Sequence, residues 1–96
     1  MENQNKTEEF YERLREQLLL HTAWPAPYLY KFIIPAQLEK LAEIEAIFDG
    51  TNADIQTKDS SRGTYTSISI HVIIDSPNAV IEKYLEVSKV EGVISL

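Results

Sequence analysis

The stretch D-S-S-R-G-T-Y-T-S-I-S-I-H-V-I-I-D, from Asp59 to Asp75, decides the fold of this chain. Its second half alternates between two kinds of side chain, branched apolar residues (Ile68, Ile70, Val72 and Ile74) and mostly polar ones (Ser67, Ser69 and His71). A period of two is typical of a β-strand that buries one face. The run is long for a strand, so we expect it in the centre of a sheet. The polar segment around Gly63 is expected to reverse the chain before it.

The residues before this strand predict a strand, a helix and a weak strand. Residues 28–34 are rich in aromatic and β-branched side chains, which favours a strand. Pro35 suits the first position of a helix that ends near Gly50, with one apolar stripe: Leu38, Leu41, Ile44 and Phe48. Residues 53–58 have few strand-forming side chains, so they are expected to form an edge strand.

The residues after it predict a helix and a last short strand. Ser76 and Pro77 combine a hydroxyl cap with a proline at the first helical position. The buried stripe of this helix is expected to be Val80, Ile81, Tyr84 and Val87. Gly92 then turns the chain into a strand at residues 93–96.

The resulting order, strand–helix–strand–strand–helix–strand, is the split βαβ pattern. Right-handed crossovers place both helices on the same face of the sheet. We therefore predict an α+β, ferredoxin-like domain over residues 24–96, with an antiparallel four-stranded sheet in the order 4-1-3-2.

Residues 1–23 are expected to form a disordered start, up to Lys6, followed by an amphipathic helix. Thr7 can cap this helix, and one apolar residue recurs at every fourth position. This predicts a docking stripe made of Phe10, Leu14 and Leu18.

Composition excludes several classes of function. The 96 residues contain no cysteine, which excludes disulfides and thiolate metal sites and suggests a reducing cytoplasm. The net charge of −6 argues against nucleic acids and anionic membranes as partners. The polar start is not a signal peptide, and no apolar run is long enough to span a membrane. No motif for a metal or a cofactor is present, so neither is expected.

Three segments resemble one family of proteins. They are W-P-A-P-Y-L-Y-K-F-I (Trp24–Ile33), D-S-S-R-G-T-Y-T-S-I-S-I (Asp59–Ile70) and V-E-G-V-I-S-L (Val90–Leu96). They resemble the YbeD-like family of small bacterial proteins of unknown function, most specifically in S-x-x-G-x-Y-x-S. The resemblance implies a ferredoxin-like domain similar to ACT-type regulatory domains, and it implies no known activity.

The predicted sheet has helices on one face only, so its other face needs an explanation. We expect this face to carry Leu29, Lys31, Ile33, Tyr65, Ser67, Ser69, His71 and Ile73. Its apolar members would form a patch too large to be left in water without a reason. Three explanations stay open: the N-terminal helix folds back over the patch, a second copy covers it, or a partner or ligand binds there. Stacking of RNA bases is disfavoured, because Tyr65 is the one suitable aromatic residue.

The segment before the long strand is the best candidate for an anion site. Its hydroxyls, glycine and guanidinium can hold a carboxylate or a phosphate: Ser60, Ser61, Arg62 and Gly63. The alternative, which we favour, is a hairpin loop whose side chains satisfy its own backbone.

No catalytic residue is expected. His71 on a strand face is more readily a packing or surface residue than a base, and Asp54, Asp59 and Asp75 mark strand ends. The leading hypothesis is a non-enzymatic regulatory or protein-interaction module that acts through its open sheet face or edges. The alternatives are a sensor of amino acids or anions at a subunit interface, an enzyme that uses residues 59–65 with His71, and a structural partner that docks through the N-terminal stripe.

Overall fold

The computed structural model describes residues 2–96, and the side chains of residues 7–96. Within this part of the chain, the elements follow one another as α1 (Glu2–His21), β1 (Ala26–Pro35), α2 (Leu38–Ile47), β2 (Asp54–Asp59), β3 (Tyr65–Ile74), α3 (Pro77–Val87) and β4 (Ile94–Ser95). The order after α1 is the split βαβ pattern, so the predicted α+β, ferredoxin-like class is confirmed.

The sheet has four strands in the order β2-β3-β1-β4, and each pair of neighbours is antiparallel. This is the predicted order. The two central strands pair along their full length, from Ala26 opposite Ile74 to Pro35 opposite Tyr65. They are also the most apolar of the four strands. A central strand has a neighbouring strand along both of its edges, so its side chains are farther from water than those of an edge strand.

The core lies between the sheet and helices α2 and α3. Alternate residues of β1 and β3 face it and are buried: Tyr30, Phe32, Ile34, Ile68, Ile70, Val72 and Ile74. Ile44 of α2 and Val80 and Val87 of α3 close the core from the other side. The alternation that predicts β3 is therefore the alternation between the core and the opposite face.

Tyrosine hydroxyls join β1 to α3 within this core. The Tyr30 hydroxyl donates to the Val80 carbonyl oxygen at 3.0 Å, and the hydroxyl oxygens of Tyr28 and Tyr84 lie 2.8 Å apart. Burial raises the pKa of both Tyr30 and Tyr84 well above the ordinary value for a phenol. Both hydroxyls therefore keep their protons, and the Tyr30 hydroxyl serves as a structural donor.

Helix α1 packs on α3, on the helical side of the sheet. The Tyr11 ring stacks on the Tyr84 ring at a centroid distance of 6.0 Å, and Leu18 packs against the core. The Trp24 indole Nε1 donates to the Leu18 carbonyl oxygen at 3.2 Å, across a turn that contains a cis Trp24–Pro25 peptide bond. The explanation in which α1 folds over the other sheet face is therefore wrong.

The helix starts differ from the predicted ones in two places. Helix α1 begins at Glu2 and not after Thr7. The predicted disordered start falls on residues 1–6, and both Met1 and the side chains of residues 2–6 lie outside those that the structure describes. Pro35 does not open α2, because it is the last residue of β1 and pairs with Tyr65.

The late start of α2 changes the position of Leu38. This residue was expected in the buried stripe, but it is 85% exposed. With the helix starting at Leu38, its side chain lies in the first turn, and the core contacts are made by Leu41, Ile44 and Phe48. The start of α3 is as predicted: the Ser76 hydroxyl accepts from the Ala79 N–H at 3.2 Å, and Pro77 is the first helical residue.

Candidate interaction face

The side of the sheet opposite α2 and α3 is called the open face below. The strand register arranges its side chains in three rows across the sheet. The first row is Asp54, His71 and Leu29; the second is Gln56, Ser69, Lys31 and Leu96; the third is Lys58, Ser67, Ile33 and Ile94. Ile73 lies beyond one end of these rows and Tyr65 beyond the other. All eight residues predicted for this face are on it.

The half of the open face formed by β1 and β4 is mainly apolar. Leu29, Ile94 and Leu96 are exposed, and Ile33 is half-buried. The exposed Ile73 extends this apolar surface onto the end of β3. Helix α1 packs on the other side of the sheet, so no described residue covers this surface.

The half formed by β2 and β3 is polar. Its polar groups are the Ser67 and Ser69 hydroxyls, the His71 imidazole and the Gln56 amide. The two charged residues of β2, Asp54 and Lys58, lie in the first and third rows. The Gln56 amide donates to Asp54 Oδ2 at 3.2 Å, and the Ser67 hydroxyl donates to the Lys58 carbonyl oxygen at 3.2 Å. With Lys31 in the middle row, the side chains of the face include two lysines and one aspartate, whereas the whole chain has a net charge of −6.

His71 lies on this face as predicted, beside Asp54 and Leu29. Its imidazole is exposed, and it also lines a cavity of about 430 Å³ at the end of the sheet. The cavity is bordered by the start of β1, the end of β3 and the loop before β2: Pro27, Tyr28, Leu29, Thr51, Asn52, His71, Val72 and Ile73. Most of the residues around His71 in the cavity wall are apolar, and the other titratable residue there is Tyr28, whose hydroxyl lies 2.8 Å from that of Tyr84.

The hairpin loop between β2 and β3 satisfies much of its own backbone. The Ser60 N–H donates to the Tyr65 carbonyl oxygen at 2.8 Å, and the Ser60 hydroxyl accepts from the Tyr65 N–H at 3.1 Å. The Gly63 N–H donates to the Ser60 carbonyl oxygen at 2.9 Å, with Gly63 at a positive φ of 69°. The predicted anion site thus has two of its N–H groups, those of Ser60 and Gly63, engaged inside the loop.

Ser61 and Arg62 stay at the surface of this loop. Together with Ser60, Thr64 and Tyr65 they border an open cavity of about 320 Å³. Of the two interpretations, the loop therefore fits the hairpin whose side chains satisfy its own backbone. The Arg62 guanidinium is the cationic group of this loop.

The structure does not bring the strand-end carboxylates of Asp54 and Asp59 together. Asp54 and Asp59 lie at opposite ends of β2, and Asp59 Oδ1 accepts the Thr66 hydroxyl at 2.9 Å. Among residues 7–96, no group of three or more His, Asp or Glu side chains is arranged to hold a metal ion. None of the described helices is both long enough and apolar enough to cross a membrane.

A protein-family model described as "Protein of unknown function (DUF493)" matches residues 20–96. The chain belongs to this family. The search of curated proteins and the search of solved structures each returned no match. The open face lies entirely within the DUF493 region, whereas most of α1, including Phe10, Leu14 and Leu18, precedes it.

The predicted docking stripe on α1 is divided by the structure. Leu14 and Leu18 are half-buried, and Leu18 packs on the DUF493 domain itself. Phe10 is 61% exposed, with its ring edge-on to Tyr11 at 5.5 Å. Of the three residues, Leu18 is therefore the one that holds α1 to its own domain, and Phe10 faces solvent.

Sequence reasoning missed the contribution of the outer strands to the open face. Ile94 and Leu96 complete its apolar half, and Asp54, Gln56 and Lys58 complete its polar half. The alternation V-I-S-L at the end of the chain was the available signal, because Ile94 and Leu96 are two residues apart and so share a face.

Proposed function

We propose that this DUF493 domain is a non-enzymatic regulatory module that binds another protein through its open face. The observation that supports this is the uncovered apolar half of that face, formed by β1 and β4. Apolar surface is costly to keep in water, and contiguous exposed patches are typical of interaction sites. The resemblance of residues 24–96 to YbeD-like proteins and ACT-type regulatory domains supports the regulatory part of the proposal.

An amphipathic helix of another protein fits the dimensions of this surface. Neighbouring strands are about 4.8 Å apart, so side chains on two strands cover a band about 10 Å wide. A helix with its side chains is about 10–12 Å in diameter. Lys31 lies between Leu29 and Ile33, so the partner helix is expected to place a carboxylate among its apolar residues.

The test is a matched pair of leucine substitutions. Leu29 on the open face is 42% exposed, and Leu85 on α3 is 45% exposed, so either can be changed to aspartate with a similarly small effect on folding. Leu29→Asp is expected to weaken partner binding at least about tenfold, because it places an unpaired carboxylate in an apolar contact. Leu85→Asp is expected to leave binding unchanged.

The measurement is affinity capture from the native cytosol with all three forms of the protein, followed by titration of the captured partner. A protein held by the native chain and by Leu85→Asp, but lost with Leu29→Asp, supports the proposal. Identical captured proteins for all three forms would contradict it, as would the absence of any captured protein.

A sensor of small amino acids or anions is the second candidate, favoured by the cavity of about 430 Å³ beside His71. Ligand pockets in proteins are commonly of this size and are lined mainly by apolar groups with a few polar ones. Thr51, Asn52 and His71 supply those polar groups.

A thermal-shift screen of amino acids and small anions tests this second candidate. A ligand in the cavity is expected to raise Tm by an amount that His71→Ala removes and Arg62→Ala leaves intact. A ligand on the hairpin loop would give the reverse pattern. A screen without any shift would contradict the sensor and leave the protein-binding proposal as it stands.

A further inference from the structure

We infer that the outer edge of β2 is a self-complementary interface, through which two copies of this chain join their sheets about a two-fold axis. This edge is separate from the apolar half of the open face, because that half lies on β1 and β4, at the far end of the strand order from β2. The inference therefore does not depend on the proposed function.

The first support is the direction of the backbone groups of β2. The Ser60 N–H donates to the Tyr65 carbonyl oxygen. In an antiparallel pair the direction alternates along the strand, so Asp54, Gln56 and Lys58 also point their backbone N–H and C=O groups at β3. Ile55 and Thr57 lie between those residues and point theirs away from the sheet. No hydrogen bond among the described residues, apart from those within the ladder, uses the backbone of Ile55 or Thr57.

The second support is the sequence of the strand, D-I-Q-T-K from Asp54 to Lys58. When two such strands run antiparallel about a two-fold axis at Gln56, Asp54 of each copy lies opposite Lys58 of the other. Gln56 lies opposite Gln56 of the second copy, and the backbone groups of Ile55 meet those of Thr57. Opposite charges at directly facing positions stabilise a strand pair. A shift of this register by two residues in either direction removes both charge pairs.

The third support is Leu38, the exposed leucine at the start of α2. It borders a cavity of about 400 Å³ that Leu41 and Thr57 also line, on the helical side of β2. In the register above, Ile55 of the second copy lies opposite Thr57, and its side chain is on the helical side of the sheet. The side chain of Ile55 is therefore brought to the cavity beside Leu38, which adds an apolar contact to the backbone and charge pairing.

The experiment is a charge swap on the full chain, followed by sedimentation velocity over a concentration series. Both Asp54 and Lys58 are exposed, so their replacement is expected to leave the fold intact. Asp54→Lys places like charges opposite each other at both ends of the interface and is expected to raise the dimer dissociation constant at least about tenfold. The double variant Asp54→Lys, Lys58→Asp restores opposite charges and is expected to return the constant to within about threefold of the native value.

Lys31→Asp is the matched control, because it reverses a charge on the same sheet face but away from the edge. It is expected to leave the dimer unchanged. Amide hydrogen exchange supplies an independent measurement in the native chain: the Ile55 and Thr57 amides should become protected as the protein concentration rises. A monomer at every concentration would overturn the inference, and so would a double variant that dimerises no better than Asp54→Lys alone.

Discussion

Replacing Phe32 with alanine is expected to lower the free energy of unfolding by about 3–5 kcal/mol, the usual cost of removing a buried phenylalanine ring. Phe32 is fully buried on β1, with its ring stacked near Tyr30 at 5.8 Å and edge-on to Tyr84 at 6.1 Å. The surrounding aromatic rings are rigid and cannot collapse into the space that the ring leaves. The change would be measured by urea unfolding of the two proteins.

Leu29→Ala is the control for this substitution, because Leu29 is on the same strand but faces away from the core. It is expected to change the free energy of unfolding by less than about 1 kcal/mol, since its side chain is partly in water in the folded state. Equal losses for the two variants would contradict the assignment of β1 side chains to a buried and an open side.

Gly92→Ala is expected to have the second largest effect, a loss of roughly 2–4 kcal/mol. Gly92 has a φ of 82°, in the left-handed region that residues with a Cβ adopt at a cost. A Cβ at this position would lie 2.9 Å from Pro35 Cγ and 3.1 Å from Pro35 Cδ. The proline ring is held at the end of β1, so it cannot move away as a flexible side chain would.

Gly50→Ala separates these two causes. Gly50 has a similar φ of 77°, but a Cβ there would meet no atom within 4 Å. This variant is expected to lose only about 1 kcal/mol, which represents the backbone cost alone. Thermal and urea unfolding of both variants gives the comparison. Equal losses for Gly92→Ala and Gly50→Ala would show that the turn at Gly92, just before β4, does not approach Pro35 as closely as described.

The two proposed interfaces lie at opposite ends of the strand order: one is the outer edge of β2, and the other is the half of the open face formed by β1 and β4. A dimer joined at β2 would form one sheet of eight strands from the two four-stranded sheets, with the apolar halves of the open face at its outer ends. Each copy could then bind its own partner helix without displacing the other copy. Leu29→Asp tests the outer halves and the Asp54 and Lys58 swap tests the centre, so each proposal can fail without the other.

The N-terminal helix shows where sequence reasoning stops. Its apolar stripe of Phe10, Leu14 and Leu18 predicts that it packs against something, but the stripe does not indicate which side of the domain it packs on. The choice of α3 depends on the stacking of Tyr11 on Tyr84, two residues that are far apart along the chain, and the hydrogen bond from Trp24 to Leu18 ties the end of the helix to the turn that follows it. A pattern of period four does not contain that information.

Local patterns along the chain were sufficient for the elements and for their order in the sheet. The alternation in β3 and the Ser76–Pro77 helix start depend on neighbouring residues, and the right-handed crossovers follow from the order of the elements. None of the three requires knowledge of contacts between distant segments. Only the tertiary structure decided which residues border the sheet: the exposed Leu38, the addition of Ile94 and Leu96 to the open face, and Ile55 and Thr57 as the residues of the predicted edge strand that turn their backbone groups outward. The physical reason is that burial and backbone pairing at an edge depend on which segments meet in space, and those segments are far apart in sequence.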